Sequence, residues 1–458
     1  MARPDPLNTL RRLASTHPQP IWLVGGCVRD RLLGREVLDY DCVLRGSLES
    51  ARRFAAAAQG AFVLLDDERD TARVVFKRYG RSPREPLTVD FAELRGASLT
   101  DDLAQRDFTL NAIACPLAAW ENPTEADWCD PFSGREDLRQ GCIRAVSVRA
   151  LEDDPLRALR AFRFAAQLDF TVVPETKILI RQAAPRLREV AAERITGELF
   201  KLLATPRCAA VVQEMQELGL WAELFAPAET DGEAAARALP ALEGVLAHLP
   251  AVFPPCAERL AAYLRAEDHL ALLKLAVLLC SSAPARATRR LALSRAQRRC
   301  LHTYAAGAIP RALLKAGGRA EDVPARQGDR QADLNTSTLQ RLKTAIWARH
   351  FRRRGEDGVG AVLVQWAWLH ARGDEAFRER VSLAVQEALN LYYHRFEPVL
   401  RRPRLVTGYD LQEELGLSPG PRFKGLLASV LQAELVGQVR TREEALAWLR
   451  RRLRRDRR

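Results

Sequence analysis

The sequence predicts an α/β head followed by an all-helical remainder, and three observations carry that prediction. Up to about residue 142, short apolar runs of strand character alternate with turn-rich and helix-like segments. From Asp154 onward strand signals largely stop, and apolar residues recur at helical spacing. The 458 residues, at roughly 150 per domain, make room for about three units.

In chain order, Ile21-Trp-Leu-Val24 is a buried strand that ends in the Gly25-Gly26 turn. Tyr40 to Leu44, Phe62 to Leu65, Arg73 to Phe76 and Leu87 to Phe91 are further strands, while Leu48 to Gln59 and Asp101 to Ala114 read as helices. Pro155–Leu168, Glu175–Val190, Arg194–Leu203 and Ala257–Leu279 then carry helical periodicity. The polar stretch Gly317 to Thr338 reads as a long loop or linker, and a second break falls near Arg401-Arg-Pro403. The last ten residues, from Leu449, form a basic tail. They are either a helix end whose cations suit the negative end of its dipole or a phosphate contact.

Composition excludes several classes. With 47% hydrophobic and 28% charged residues the chain is not disordered. No apolar run reaches the ~18 residues of a membrane span, and the first residues lack a secretory core, so a cytoplasmic protein with no membrane partner is expected. The nine cysteines form no CxxC pair, which argues against disulfides or a thiolate zinc site. The net charge of +12 fits a polyanionic partner, though solvated basic surfaces would give the same sum.

Three constellations carry chemistry. The first is Gly25-Gly-Cys-Val-Arg-Asp30 followed by Leu38-Asp-Tyr-Asp-Cys-Val-Leu44. The glycines let backbone N–H groups approach phosphate oxygens, and Arg29 adds a charged fork. Asp39 and Asp41, two apart on a strand, share a face, and Mg²⁺ between carboxylates and a triphosphate would relieve their repulsion. The alternative is an exposed acidic strand end. Asp90 is a third candidate carboxylate, or an edge acid hydrogen-bonded nearby. The second constellation runs from Asp102 to Ala112; there Arg106 is a candidate triphosphate or sugar contact, and Asp107 fixes that arginine or caps its own turn. The third starts at Glu152. Asp154 reads as an N-cap, Pro155 as the first helical residue, and Arg157, Arg160 and Arg163 as a stripe along one side, either a nucleotide contact or a solvated face.

Taken in order, Gly25-Gly-x-Val-Arg-Asp30 with Asp39-x-Asp41, Arg106-Asp-Phe-Thr-Leu-Asn-Ala112, Asp153-Asp-Pro-Leu-Arg-Ala-Leu-Arg160 with Arg163-Phe-Ala-Ala-Gln167, and Glu193-Arg-Ile195 resemble class II tRNA nucleotidyltransferases (CCA-adding enzymes) and their poly(A) polymerase relatives. The resemblance is dense over residues 20 to 205. It implies a polymerase-β-like head (1–142), a helical neck (143–205), a body (206–400) and a tail (401–458) that hold the tRNA acceptor end. Carried over, Asp39 and Asp41 match the metal-binding, catalytic carboxylates, with Asp90 beside them. Gly25, Gly26, Arg29 and Arg106 match triphosphate or sugar contacts. Asp154 with Arg157 matches the pair that reads the incoming base, and Arg160 and Arg163 match nearby nucleotide contacts. The implied reaction adds C, as CC or the full CCA, to a tRNA 3′ end from CTP, and from ATP where A is added, with Mg²⁺ as cofactor. A poly(A) polymerase and a catalytically silent RNA-binding protein are the alternatives.

Four departures stand out. Gln105 replaces a second arginine, and Asp153 replaces glutamate. The stretch Ala92 to Asp101 is shorter than the segment that helps members making the full end switch from C to A; a shortened loop marks members that add only CC and leave the A to a separate enzyme. Lys274 to Ser282 stands where some members carry a His-Asp metal pair. Cys280 and Ser281 cannot replace it, so no phosphohydrolase activity is expected.

Overall fold

A computed structural model describes residues 5–76, 86–225, 232–279, 284–306, 309 and 336–455. It divides into two compact units: residues 1–198 with 214–224, and 199–213 with 225–458. The Gly317–Asn335 part of the expected linker, together with Cys280 and Ser281, lies outside the described residues.

The first unit holds the α/β head and the helices that follow it, up to α9, which runs on from Glu198 into the second unit. Its elements run α1 (Pro6–Thr16), β1 (Trp22–Val24), α2 (Gly26–Leu32), β2 (Asp39–Leu44), α3 (Ser47–Ala58), β3 (Ala61–Asp66), β4 (Thr71–Phe76), β5 (Leu87–Glu93), α4 (Leu99–Ala104), β6 (Ala114–Pro116), α5 (Gly134–Gln140), β7 (Cys142–Ile143), α6 (Arg149–Asp153), α7 (Arg157–Leu168), β8 (Thr171–Val172), α8 (Pro174–Ala183) and α9 (Ala192–Leu203). Six strands form one sheet in the order β3-β4-β5-β2-β1-β6, in which β2 and β5 are parallel and the other neighbours antiparallel.

Strand alternation gives this sheet two different faces. Ala72, Val74 and Phe76 of β4, Leu87, Val89 and Phe91 of β5, and Tyr40, Cys42 and Leu44 of β2 are all buried. Phe54 of α3 packs on that side, 5.7 Å from Phe76 and 5.5 Å from Phe91 between ring centroids. The opposite face carries Arg73, Thr88, Asp90, Asp39 and Asp41. Farther along the same strands this face turns apolar at Val43 and Ala92, where Leu99 and Leu103 of α4 cover it. One end of the second face is thus closed by a helix, and the other is left for chemistry.

Two local expectations fail. Asp101–Ala114 is not one helix: α4 ends at Ala104, a turn carries Arg106, a single 3₁₀ turn spans Thr109–Asn111, and Ala114 begins β6. Phe108, Leu110 and Ile113 are each fully buried, so the segment threads through the core and side-chain burial overrides helical periodicity. Ala257–Leu279 likewise splits into two helices, Ala257–Arg265 and His269–Leu279, at Glu267 with φ +47°.

The second unit is helical throughout its described residues. The break near residue 401 is real: one helix ends at Arg401 and the next begins at Gly408. Inside the body, Lys274 is fully buried. Its Nζ donates to the carbonyls of Thr205 (2.6 Å) and Pro206 (3.1 Å) and to Glu243 (2.7 Å). Glu243 in turn accepts the backbone N–H of Cys208 at 2.8 Å. On the helix of Lys274 the protein has a buried ion pair that ties three segments together. The basic tail is helical to Arg455, with Arg452 over the Trp448 ring. No described helix is long and apolar enough to cross a membrane.

Candidate active site

The pleat of β2 sends Tyr40 to the closed face, where its ring meets Trp120 edge-on at 6.2 Å, and leaves Asp39 and Asp41 together on the other. Register then supplies their neighbours. Parallel pairing sets Asp41 opposite Asp90 and Asp39 opposite Thr88; antiparallel pairing sets Arg73 opposite Asp90. The Thr88 hydroxyl donates to Asp39 Oδ1. Arg73 Nε and Nη2 donate to the two oxygens of Asp90 at 2.7 and 2.8 Å.

Asp41 is under electrostatic load. Burial, and then the charge of Asp90, push its carboxyl up to about 6; Arg106 opposes the shift and Asp39 adds to it. Oxygen donors that repel one another on one open face suit a hard divalent cation. Among the described residues, however, no three acidic, His or Cys side chains are grouped to hold a metal, and both oxygens of Asp90 face Arg73.

The glycine turn comes against these acids. Gly25 has φ +71°, and a Cβ there would lie 3.0 Å from Arg106 Nη1 and 3.4 Å from Asp41 Oδ2. Only glycine supplies both the backbone conformation and the close approach. Arg106 Nη2 donates to Asp102 at 3.1 Å, while its buried Nε has no hydrogen-bond partner.

A second cluster gathers the arginines. Arg29 forks onto Asp30 with both bonds at 2.9 Å and donates to Asn111 Oδ1 at 2.9 Å. Arg160 donates twice to Asp107 Oδ2, at 2.9 and 2.7 Å. Asp107 also accepts the Phe108 N–H (2.8 Å) and the Asn111 amide (2.9 Å). Burial alone would raise the Asp107 carboxyl; the charge of Arg160 and these hydrogen bonds outweigh it and hold the group below the usual carboxylate range. Arg163 is buried, with Nε on Glu198 at 2.5 Å and Nη1 on Gln167 at 2.7 Å. The guanidinium carbons of Arg29, Arg160 and Arg163 lie 5.0, 5.4 and 3.9 Å from the centre of the Phe164 ring. Asp107 therefore fixes Arg160, not Arg106.

Asp154 and Arg157 are joined through the backbone, where the Arg157 N–H donates to the Asp154 carbonyl at 3.0 Å, and their side chains have different partners. Asp154 is not the N-cap of α7: it follows α6 in extended conformation, and α7 begins at Arg157 behind the turn residues Pro155 and Leu156. Its Oδ1 accepts the Leu156 N–H at 3.2 Å, and its Oδ2 accepts Arg194 Nη2 at 2.7 Å. Arg157 donates to the carbonyls of Arg106 (3.1 Å), Ala150 (3.1 Å) and Gln105 (2.7 Å). Residue 105 meets Arg157 through its backbone, a contact any side chain there permits. The basic stripe is thus paired rather than solvated. Leu156, Leu159 and Phe162 pack inward as expected, whereas Ala166 is only half-buried.

Arg73, Thr88 and Glu198 join these clusters without being marked in the sequence, whereas Asn111 and Arg194 fall inside its motifs. A charged residue between Ala72 and Val74 on a strand signals an open face. No local pattern reveals that Glu198, 35 residues from Arg163, bridges two arginines.

Residues 21–144 match the family model described as the poly A polymerase head domain, and residues 169–230 the one described as a probable RNA and SrmB-binding site of polymerase A. The chain is 36% identical to a CC-adding tRNA nucleotidyltransferase of Geobacter sulfurreducens, over 93% of this chain and 91% of that one. It is 32% identical to an A-adding tRNA nucleotidyltransferase of Deinococcus radiodurans, over 94% of each. The fold is similar to that of the Thermotoga maritima CCA-adding enzyme complexed with tRNA: TM-score 0.59, 23% identity, covering 98% of this chain and 97% of that one.

Proposed function

This chain belongs to the tRNA nucleotidyltransferase family built on the poly A polymerase head, and from that membership we infer that it adds C residues, as CC, to the 3′ end of tRNA, using CTP and releasing pyrophosphate. The observation that carries the reaction is Asp39 and Asp41 on one open face of β2, against the Gly25 turn.

In this reading Asp39 and Asp41 hold Mg²⁺, which when bound lowers the pKa of the attacking 3′-hydroxyl and neutralises charge on the phosphates. The hydroxyl attacks the α-phosphate of CTP, a new phosphodiester forms, and the bond to the β-phosphate breaks. The Gly25-Gly26 backbone, Arg106 and Arg29 receive the triphosphate; the buried, unpartnered Nε of Arg106 supports its part. Asp154 accepts from the exocyclic amino group of cytosine while Arg157 donates to N3. Adenine presents the same order at its amino group and N1, and uracil and guanine present the reverse, which would leave buried groups unpaired. Arg160 and Arg163 lie nearby as further nucleotide contacts, and the helical neck, body and tail take the acceptor stem through its backbone and shape.

The limit to CC rests on the connection between β5 and α4. Residues 94–98 are strapped down: Arg45 donates to the carbonyls of Leu94 (2.9 Å) and Gly96 (2.6 Å), Arg95 N–H to Asp102 (3.1 Å), and Ser98 and Asp101 close a capping box. No loose length remains there to reshape the base pocket from C to A. A separate A-adding enzyme would complete the end. The similarity to the Deinococcus protein supports a second reading, A addition by this chain. Incubating purified protein with tRNA ending before, within and after CC, each with one of the four triphosphates, separates them. CTP alone should extend the first substrate by two residues; growth of the CC-ended substrate with ATP would instead establish A or CCA addition.

A further inference from the structure

Asp90 is the acid that the metal reading accounts for least. It sits opposite Asp41 in the register of β2 and β5 and on the same face. Yet both its oxygens accept from Arg73, the residue directly opposite on β4. A two-bond fork between directly facing residues of adjacent strands is a specific arrangement rather than a loose surface pair. Arg73 is 42% exposed and Asp90 20%, so the pair lies at the rim of the open face and can exchange partners without unfolding the sheet.

We propose that Arg73 is the built-in counter-ion of the acidic face: it holds Asp90 and competes with a divalent cation for that carboxylate. The proposal rests on the metal reading above and assigns to β4 a residue that sets metal affinity. Three carboxylates on neighbouring positions would repel one another in the absence of metal, and Arg73 neutralises one of them. A divalent cation held by Asp39 and Asp41 would draw Asp90 away from Arg73, whose guanidinium is exposed enough to be rehydrated. Arg73 thus lowers the affinity of the nucleotide-free protein for metal. Had it served only to orient Asp90 as a ligand, its removal would weaken binding.

Mn²⁺ binding to the full chain without nucleotide or RNA, followed by electron paramagnetic resonance, tests this. Arg73→Ala is expected to bind Mn²⁺ about tenfold more tightly than wild type, from loss of one positive charge within a few ångströms at intermediate effective dielectric. Arg73→Lys, which keeps the charge but not the fork, is expected to fall between the two. In the Asp90→Asn background Arg73→Ala should gain less than it does alone. Unchanged or weaker Mn²⁺ binding by Arg73→Ala, with a wild-type thermal melt, overturns the proposal. Asp41→Asn separates that failure from failure of the metal reading. If Asp41→Asn lowers Mn²⁺ affinity and Arg73→Ala changes nothing, only the counter-ion role falls; if neither changes it, both fall.

Discussion

The acids of β2 and β5 and the arginines around Phe164 are both clusters of like charge within one compact unit, and the protein treats them oppositely. The arginines come with their own buried partners: Asp107 takes Arg160, Glu198 takes Arg163, and Asn111 ties Arg29 to Asp107. Each guanidinium is fixed before any ligand arrives. Of the acids, Asp90 is ion-paired, with Arg73, while Arg106 only partly offsets the load on half-buried Asp41, whose own charge remains disfavoured. A cluster that is paired internally is preorganised, whereas one left short of counter-charge takes that charge from what it binds. The first arrangement suits holding a nucleotide, and the second suits recruiting a cation.

The largest test of this contrast is Asp41→Asn. Nucleotide incorporation should fall on the order of 10³-fold. Its thermal melt should be equal to or higher than that of wild type, since a disfavoured charge is removed; a marked loss of stability would make Asp41 structural. On the other side, Glu198→Ala strands Arg163 in the interior and should cost about 3 kcal/mol in denaturant unfolding. A cost near zero would mean the arginines are not held by buried partners. Asp154→Ala should preserve turnover with CTP better than Asp41→Asn does, but reduce the preference for CTP over UTP by about 10²-fold, read from kcat/KM for each triphosphate.

The smallest expected effect is on the acid limb of stability. Asp107 titrates below its unfolded value of about 3.9, so its contribution is fully present above that pH and is lost as pH falls through the lower folded value. Asp107→Asn should therefore remove part of the stability present at neutral pH and flatten the decline below about pH 4. An acid limb with unaltered slope would contradict the pairing with Arg160.

How much of this was legible in the sequence follows the same division. The acidic face was readable because a period of two is local: Asp39 and Asp41 flank Tyr40, and the apolar runs around them define the strand. The Gly25-Gly26 turn was readable because it interrupts such a run. The partners of the arginines were not, since Arg160 meets Asp107 across 53 positions and Arg163 meets Glu198 across 35. Helical periodicity over Asp101–Ala114 misled because its apolar residues serve a core that surrounds the segment rather than one side of it. At Asp154 the cap signature was correct in kind and displaced in place: the carboxylate accepts a nearby backbone N–H, but within a turn two residues ahead of the helix.

If the open acidic face works through a divalent cation, restoring Mg²⁺ to metal-free protein should switch tRNA extension on. Protein stripped by a chelator is incubated with CTP and tRNA lacking its last three nucleotides while Mg²⁺ is restored stepwise. No product should form without added metal, and the tRNA should grow by two nucleotides as Mg²⁺ rises. Extension in the stripped protein, or none at any Mg²⁺ concentration, would contradict a divalent-cation role for that face.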